Sequence, residues 1–405
     1  MTDIADTHFK THTGTRPYTG PVFAVAPMID WTDRHYRYLA RQLSAHALLY
    51  TEMIVADAVL RGDRARLLAC PVADTPVALQ LGGNDPDKLA QAARIGADFG
   101  YCEINMNVGC PSDRVQSGTF GACLMREPAV VADCVAAMKA QVALPVTVKC
   151  RIGVDDQEPE IALRALLEQV RAAGVDGVWV HARKAWLQGL SPKENREIPP
   201  LDYGLVHRIK AENPDLFIGL NGGLHTLGDA LRQLHPVDTP HLLAAPLLAA
   251  PLPAAPLPAA PLLADASRPL DGVMLGRAAY HDSALLTCVD GAFPHPLTGA
   301  APVAVDPADI TEAGHRMSQD LWYGVRDAMM AYAAGHIAAG GRLVHVTRHM
   351  VGLFQGWPGA RRFRQILSSD ATRAGAGPEV ILAAFAAVLD GAGARADAGA
   401  GDAAA

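Results

Sequence analysis

Eight short β-rich runs recur along the chain with helix-like segments between them: Val22–Met28, Ala47–Met53, Pro76–Leu81, Tyr101–Asn107, Pro145–Ile152, Gly177–Arg183, Phe217–Gly222 and Gly272–Gly276. Alternating strands and helices allow either an open doubly wound sheet or a closed barrel. No Gly-x-Gly-x-x-Gly follows the first run, and eight units match the count that closes a (β/α)8 TIM barrel, so the fold expected is α/β with a barrel over residues 20–305. Helix signals fall where that architecture needs them. Asp85–Pro86 opens an apolar-periodic stretch that closes at Gly96, and Glu127–Pro128 opens another running towards Leu144.

The 405 residues, 50% hydrophobic and 19% charged, suffice for one large core and a smaller second one. Residues 1–19 hold no apolar run and read as a flexible N-terminus, without a signal peptide or membrane anchor. Seven cysteines, with no Cys-x-x-Cys pair, argue against a zinc site and for free thiols in a reducing, cytoplasmic compartment. A formal net charge of −7 would not by itself suggest a nucleic-acid partner. Yet Arg342–Ser369 carries Arg342, Arg348, Arg361, Arg362 and Arg364 and no acidic residue, which allows a local positive patch on an acidic protein.

Two further segments depart from the barrel pattern. Residues 242–261 repeat Leu-Leu-Ala-Ala-Pro or Leu-Pro-Ala-Ala-Pro before a last unit Leu-Leu-Ala-Asp-Ala (262–266), and a proline at least every five residues through Pro261 blocks a regular helix, so 242–266 is read as a polyproline-like or disordered insertion between the seventh helix and the eighth strand. Residues 306–372 have apolar spacings of three and four, broken at Gly340–Gly341 and Gly356–Pro358, and are expected to form an all-helical second domain. Residues 373–405 are expected to be a low-complexity tail, with one amphipathic stretch, Pro378–Asp390, before a disordered Ala/Gly/Asp end.

Polar residues collect at the carboxyl ends of the expected strands, where barrels of this kind carry their chemistry. Pro27 and Met28 end the first run, Gln80 lies in the third, and Asn107 and Cys110 close and follow the fourth. Lys149 is on the fifth, His181 on the sixth, Asn221, Gly222 and Gly223 end the seventh, and Gly276 and Arg277 end the eighth. The glycines with Arg277 fit a phosphate site built from exposed amides and a cation. An ammonium at Lys149 suits an anionic ring, so a flavin mononucleotide is the cofactor expected. Cys110, between Gly109 and Pro111, is shaped for exposure at a strand end and is the candidate reactive group.

Several segments then resemble the tRNA-dihydrouridine synthases: AlaProMetIleAspTrpThrAspArg (26–34), LeuGlnLeuGlyGly (79–83), GluIleAsnMetAsnValGlyCysProSerAspArgVal (103–115), PheGlyAlaCysLeuMet (120–125), ValThrValLysCysArgIleGly (146–153), ValHisAlaArgLysAlaTrpLeu (180–187), LeuAsnGlyGly (220–223) and MetLeuGlyArgAlaAlaTyr (274–280). AlaTrpLeu and SerProLysGluAsnArg (191–196) most resemble the A subfamily. The resemblance spans about residues 20–370, and neither the pentapeptide insertion nor the tail belongs to it. It implies an FMN enzyme that uses NADPH to reduce the C5=C6 bond of uridines 20 and 20a in the tRNA D-loop, on a barrel followed by a helical tRNA-binding domain. It further implies that Pro27, Met28, Ile29, Gln80, Lys149, His181, Asn221, Gly222, Gly223, Gly276 and Arg277 hold FMN and that Cys110 donates a proton. A free thiol, with an unperturbed pKa near ~8.5, is mostly protonated at neutral pH and suits that task.

A base inside folded tRNA must leave its stack to reach a pocket floor, and the phosphates around it then need cations. Lys193 and Arg196, in the loop after the sixth strand, and Arg361 and Arg364, three apart on one helix face, are the tRNA contacts expected. Asn107 is suited to hold either the uracil or the catalytic loop, and spacing alone leaves both open. A monomer with no metal and no membrane contact completes the expectation. Two other readings compete: an FMN barrel acting on a free pyrimidine, as dihydroorotate dehydrogenases do, which leaves the arginine-rich helices without a purpose, and a tRNA-binding protein with a vestigial flavin site, which Cys110 and Lys149 speak against.

Overall fold

All eight expected runs are strands in the computed structural model, which describes residues 17–70, 75–112, 118–234, 269–303 and 319–400, the last ten of these as backbone only. The strands are β1 (Val22–Val25), β2 (Leu48–Tyr50), β4 (Val77–Gly82), β5 (Glu103–Val108), β6 (Val146–Arg151), β7 (Gly177–His181), β8 (Phe217–Asn221) and β9 (Gly272–Leu275). A two-residue strand that the sequence does not announce, β3 (Ile54–Val55), adds to β4 beside Leu81 and Gly82. Every pairing is parallel, and the order β2-β1-β9-β8-β7-β6-β5-β4 closes through a β2–β4 pairing into an eight-stranded barrel.

Side chains alternate across each strand. Ile104, Met106 and Val108 of β5, and Val146, Val148 and Cys150 of β6, point outwards into the layer shared with the helices. Their neighbours Glu103, Asn105, Asn107, Thr147, Lys149 and Arg151 therefore face the barrel axis. The amino-terminal half of the interior is filled by Tyr18, Tyr50, Trp179 and Phe217, with Trp179 edge-on to both Tyr50 and Phe217. Gly219 is required opposite that indole, because a Cβ there would lie 2.2 Å from the Trp179 ring. With the lower half plugged, the barrel can open only at its carboxyl end.

The surrounding helices start on the signals the sequence carries. Asp33, Asp85 and Asp202 cap Arg34–Leu43, Pro86–Asp98 and Tyr203–Glu212 by accepting from first-turn amides, and Pro86, Pro128 and Pro159 occupy first turns, where a missing N–H costs nothing.

Beyond the barrel lie the helices Gln319–Ala338, Leu343–Thr347, Ala360–Ser369 and Glu379–Ala400. Trp322, Phe354, Phe363 and Phe385 contact one another ring to ring at their centre. This region differs from the expected tail. Ile381, Ala384, Phe385, Val388 and Leu389 are buried, so the amphipathic stretch packs within the helical core, and the backbone continues as helix to Ala400. Alanine has the highest helix propensity, so a stretch too small-sided for a core still propagates the helix before it. The pentapeptide repeat 242–266, most of the expected N-terminal segment and residues 401–405 lie outside the described residues.

The helical region docks on Arg34–Leu43, whose first turn follows β1 beside the barrel mouth. Asp33 receives Arg348 at 2.6 Å and lies 3.1 Å from His349. Burial alone would raise Asp33, but His349, the Tyr36 amide and Arg348 hold it well below the usual carboxylate range. Tyr332 stacks on Tyr38 at 4.0 Å, and its hydroxyl is 2.9 Å from His35 Nδ1. Burial pushes His35 down to about 3, so it docks as a neutral ring.

Candidate active site

The open end of the barrel is a cavity of about 490 Å³, and the residues expected around a cofactor meet there. Pro27, Met28 and Ile29 line it after β1, Gln80 from β4, Lys149 from β6 and His181 from β7. Asn221, Gly222 and Gly223 line it from β8, and Gly276 and Arg277 from the end of β9. Asn107, Cys110 and Arg196 border the same space, whereas Lys193, Arg361 and Arg364 do not. Arg364 instead borders a second cleft with Tyr280, His281, His349 and Gln355, where the helical region meets the barrel.

Lys149 donates to Asn221 Oδ1 at 2.9 Å and otherwise opens onto the cavity. Desolvation and, after it, the Arg151 charge push its ammonium down to about 8. An anion in the cavity would relieve both effects. His181 lies well below its ordinary value because burial and the cations Arg151, Lys149, Arg183 and Arg196 all oppose a further charge, so it is a neutral hydrogen-bonding ring. Gly222 (φ 110°) and Gly223 (φ 66°) make a turn closed to other residues: a Cβ on Gly223 would sit 2.4 Å from Leu201 Cδ1 and 2.8 Å from the Tyr203 hydroxyl. Arg277 is paired with Glu197 at 2.5 Å at the cavity rim.

Cys110 is half-buried on the turn that follows β5, with Sγ 3.4 Å from the Ser112 hydroxyl. Asn107 Oδ1 accepts from the amides of Gly109 (3.1 Å) and Cys110 (3.0 Å). Of the two uses the sequence leaves open for Asn107, this geometry displays the loop-holding one. Arg151, which no sequence motif singles out, ties that turn to the opposite wall. It donates to Gly109 O (3.0 Å), Lys184 O (2.9 Å) and Asn195 O (2.8 Å), and burial lowers it to about 10, still charged at neutrality. Asn195 is buried and bonds the Trp186 backbone on both N–H and C=O sides, so within SerProLysGluAsnArg it builds the loop while Lys193 and Arg196 face solvent. The signal for Arg151 and Asn105 is present as period-two alternation inside runs that read simply as apolar strands.

Among the described residues no group of three or more His, Cys, Asp or Glu could hold a metal ion, and no helix is long and apolar enough to cross a membrane. A plugged parallel barrel with a lysine, a neutral histidine, a glycine turn and a thiol at its carboxyl mouth defines a barrel enzyme with a site for an anionic ligand. A family described as dihydrouridine synthase (Dus) matches residues 24–239. The chain is 47% identical to the tRNA-dihydrouridine(20/20a) synthase of Shewanella oneidensis, with 90% of this chain and 92% of that protein covered. It is 48% identical to the protein of the same name from Xanthomonas campestris pv. campestris (88% and 91% covered) and 44% identical to that of Yersinia pestis (94% and 95%). The chain belongs to the dihydrouridine synthase family, a family of oxidoreductases.

Proposed function

We propose that this protein is an NADPH-dependent flavoenzyme that reduces the C5=C6 bond of uridines 20 and 20a in the tRNA D-loop. The observation that carries the reading is the cavity itself, which brings every residue expected around FMN to one mouth with Cys110 on its rim. FMN, once reduced, would supply the hydride that C6 of the uracil accepts.

The protein's own groups account for the rest. Lys149 offers a positive charge to an anionic ring edge, and His181 an uncharged hydrogen-bonding ring on the cavity wall. The Gly222–Gly223 turn lets a phosphate approach the backbone where any side chain would collide, with Arg277 as the cation beside it. Cys110 Sγ, on the cavity wall, is the group that would give C5 the proton it requires. Lys193 and Arg196 on the mouth loop, and Arg361 and Arg364 on the helical region, are exposed and suited to phosphates of a bound tRNA. The protein is read as a cytoplasmic monomer that acts without a metal.

The test is mass spectrometry of unmodified tRNA treated with the purified yellow protein and NADPH. A gain of two hydrogens confined to the D-loop supports the reading; turnover of free uracil compounds with tRNA left unchanged overturns it.

A further inference from the structure

Beneath the cavity a single file of hydrogen bonds runs along the barrel axis. Tyr50 Oη donates to Glu103 Oε1 at 2.6 Å, and the Thr147 hydroxyl donates to the same oxygen. Asn105 Nδ2 donates to Thr147 Oγ1 (2.6 Å), Gln80 Nε2 to Asn105 Oδ1 (2.8 Å) and Asn107 Nδ2 to Gln80 Oε1 (2.8 Å). At the top, Asn107 Oδ1 takes the amides of Gly109 and Cys110. Glu103, Thr147 and Asn105 are wholly buried, and Gln80 and Asn107, although they border the cavity, are less than a tenth exposed, so little water is at hand to repair a mismatch.

Three side-chain amides in series can point in either of two directions. A backbone N–H only donates, so the Cys110 end requires the oxygen of Asn107. The opposite end makes the same demand. Glu103 Oε1 takes the Thr147 proton and leaves Thr147 Oγ1 as the acceptor for Asn105. Burial pushes Glu103 up to about 8, against the Thr147 hydrogen bond that lowers it. Its Oε2 is buried without a partner and is the oxygen left for a proton, so Oε1 accepts in both protonation states.

We propose that Glu103 and Thr147, at the foot of the barrel interior, are positioning residues that fix the direction of the amide chain holding the Cys110 loop. They touch neither cavity nor substrate. They act through Asn105, Gln80 and Asn107, and the inference rests on the reading of Cys110 as the proton donor only for its catalytic consequence.

The direction is testable by reversing the demand at one end. Asn107→Asp keeps oxygens for the Gly109 and Cys110 amides but sets a carboxylate against Gln80 Oε1. Oxygen then meets oxygen unless residue 107 keeps a proton, so activity should fall as pH rises, about tenfold or more by pH ~8, the scale of one lost buried hydrogen bond. Thr147→Val, nearly isosteric, removes the lower demand and lets Asn105 and Gln80 turn over, so that Gln80 Nε2 meets the new carboxylate. The double variant Asn107→Asp/Thr147→Val should therefore regain most of what Asn107→Asp lost, whereas Thr147→Ser, which keeps the hydroxyl, should give no relief.

Two readouts are taken on flavin-loaded protein: tRNA reduction across pH 6–9, and iodoacetamide labelling of Cys110 followed on its peptide. Asn107→Asp should change the labelling rate at high pH, and the double variant should return it towards the parent. Labelling needs no tRNA, so it tests the chain even if Cys110 proves not to be the proton donor. A double variant as impaired as the product of the two single losses, in both readouts, overturns the proposal. If Thr147→Val does not fold, Thr147→Ala removes the same hydroxyl and is read in the same way.

Discussion

The barrel mouth and the helical region both present cations, but they hold them differently. At the mouth Arg151 spends its donors on three backbone carbonyls and Lys149 is held by Asn221, so each charge has one position. On the helix Ala360–Ser369, Arg361 and Arg364 are exposed. A fixed, desolvated charge selects one atom of a ligand, whereas a free, hydrated one attracts any phosphate nearby and is screened by salt. The contrast separates a region built for chemistry from one suited to grip.

The sharpest way to break this contrast is at the thiol. Cys110→Ala should lower tRNA reduction by ~10²–10⁴, the scale of a lost positioned general acid, while flavin content and NADPH oxidation stay as in the parent. Dihydrouridine formation near the parental rate would remove Cys110 from the chemistry.

Next comes the glycine turn. Gly223→Ala combines a positive φ with a 2.4 Å collision, and the resulting ~1–3 kcal/mol of strain should weaken FMN binding by about 10- to 100-fold, read by flavin fluorescence on dilution. Gly276→Ala, whose Cβ would meet Met28 Sδ only at 3.5 Å, should cost much less, and equal losses at the two sites would show that fit at the turn is not what holds the phosphate.

The helical region should respond through salt instead. In a protein of net charge −7, Arg361→Ala with Arg364→Ala should weaken tRNA binding and reduce the slope of log K against log salt by roughly 0.7–0.9 for each phosphate no longer neutralised, with flavin untouched. Unchanged binding at every salt concentration would move the tRNA surface to the loop carrying Lys193 and Arg196.

A smaller effect is expected on pH. His35 docks neutral with its value lowered to about 3, so between ~6.5 and about 3 the undocked state binds a proton that the docked state refuses, and docking weakens as pH falls. Asp33 adds in the same direction: its contribution is full above the ordinary carboxylate value and is lost as pH falls further, through its depressed one. Hydrogen exchange in Gln319–Ala338 should rise on acidification beyond its intrinsic pH dependence, and His35→Gln should flatten that rise. The smallest change is expected from deleting Leu242–Ala266, which the sequence marks as an insertion, because shortening a connection changes its closure entropy little; lost flavin or folding would count against that reading.

The strand positions, the helix start at Asp85–Pro86 and the residues of the mouth were legible in the chain, because each depends on local chemistry or on its place at a strand end. Arg151 and Glu103 were not. Their partners, Gly109, Lys184 and Asn195 for the one and Tyr50 and Thr147 for the other, come from different strands and loops. Nor did composition disclose that Pro378–Asp390 belongs to the helical core, since its Phe385 is buried against Phe354 and Phe363, which lie on other segments.

By itself, then, the sequence determined the eightfold alternation, the side of the barrel on which polar groups would gather and the family to which they belong. Only the tertiary structure decided which of those groups are held and which are free. Hydrogen-bond direction and desolvation are properties of neighbours in space, and the parallel pairing of β5 with both β4 and β6, in the register Gln80–Asn105–Thr147, is what brings these side chains together inside the barrel.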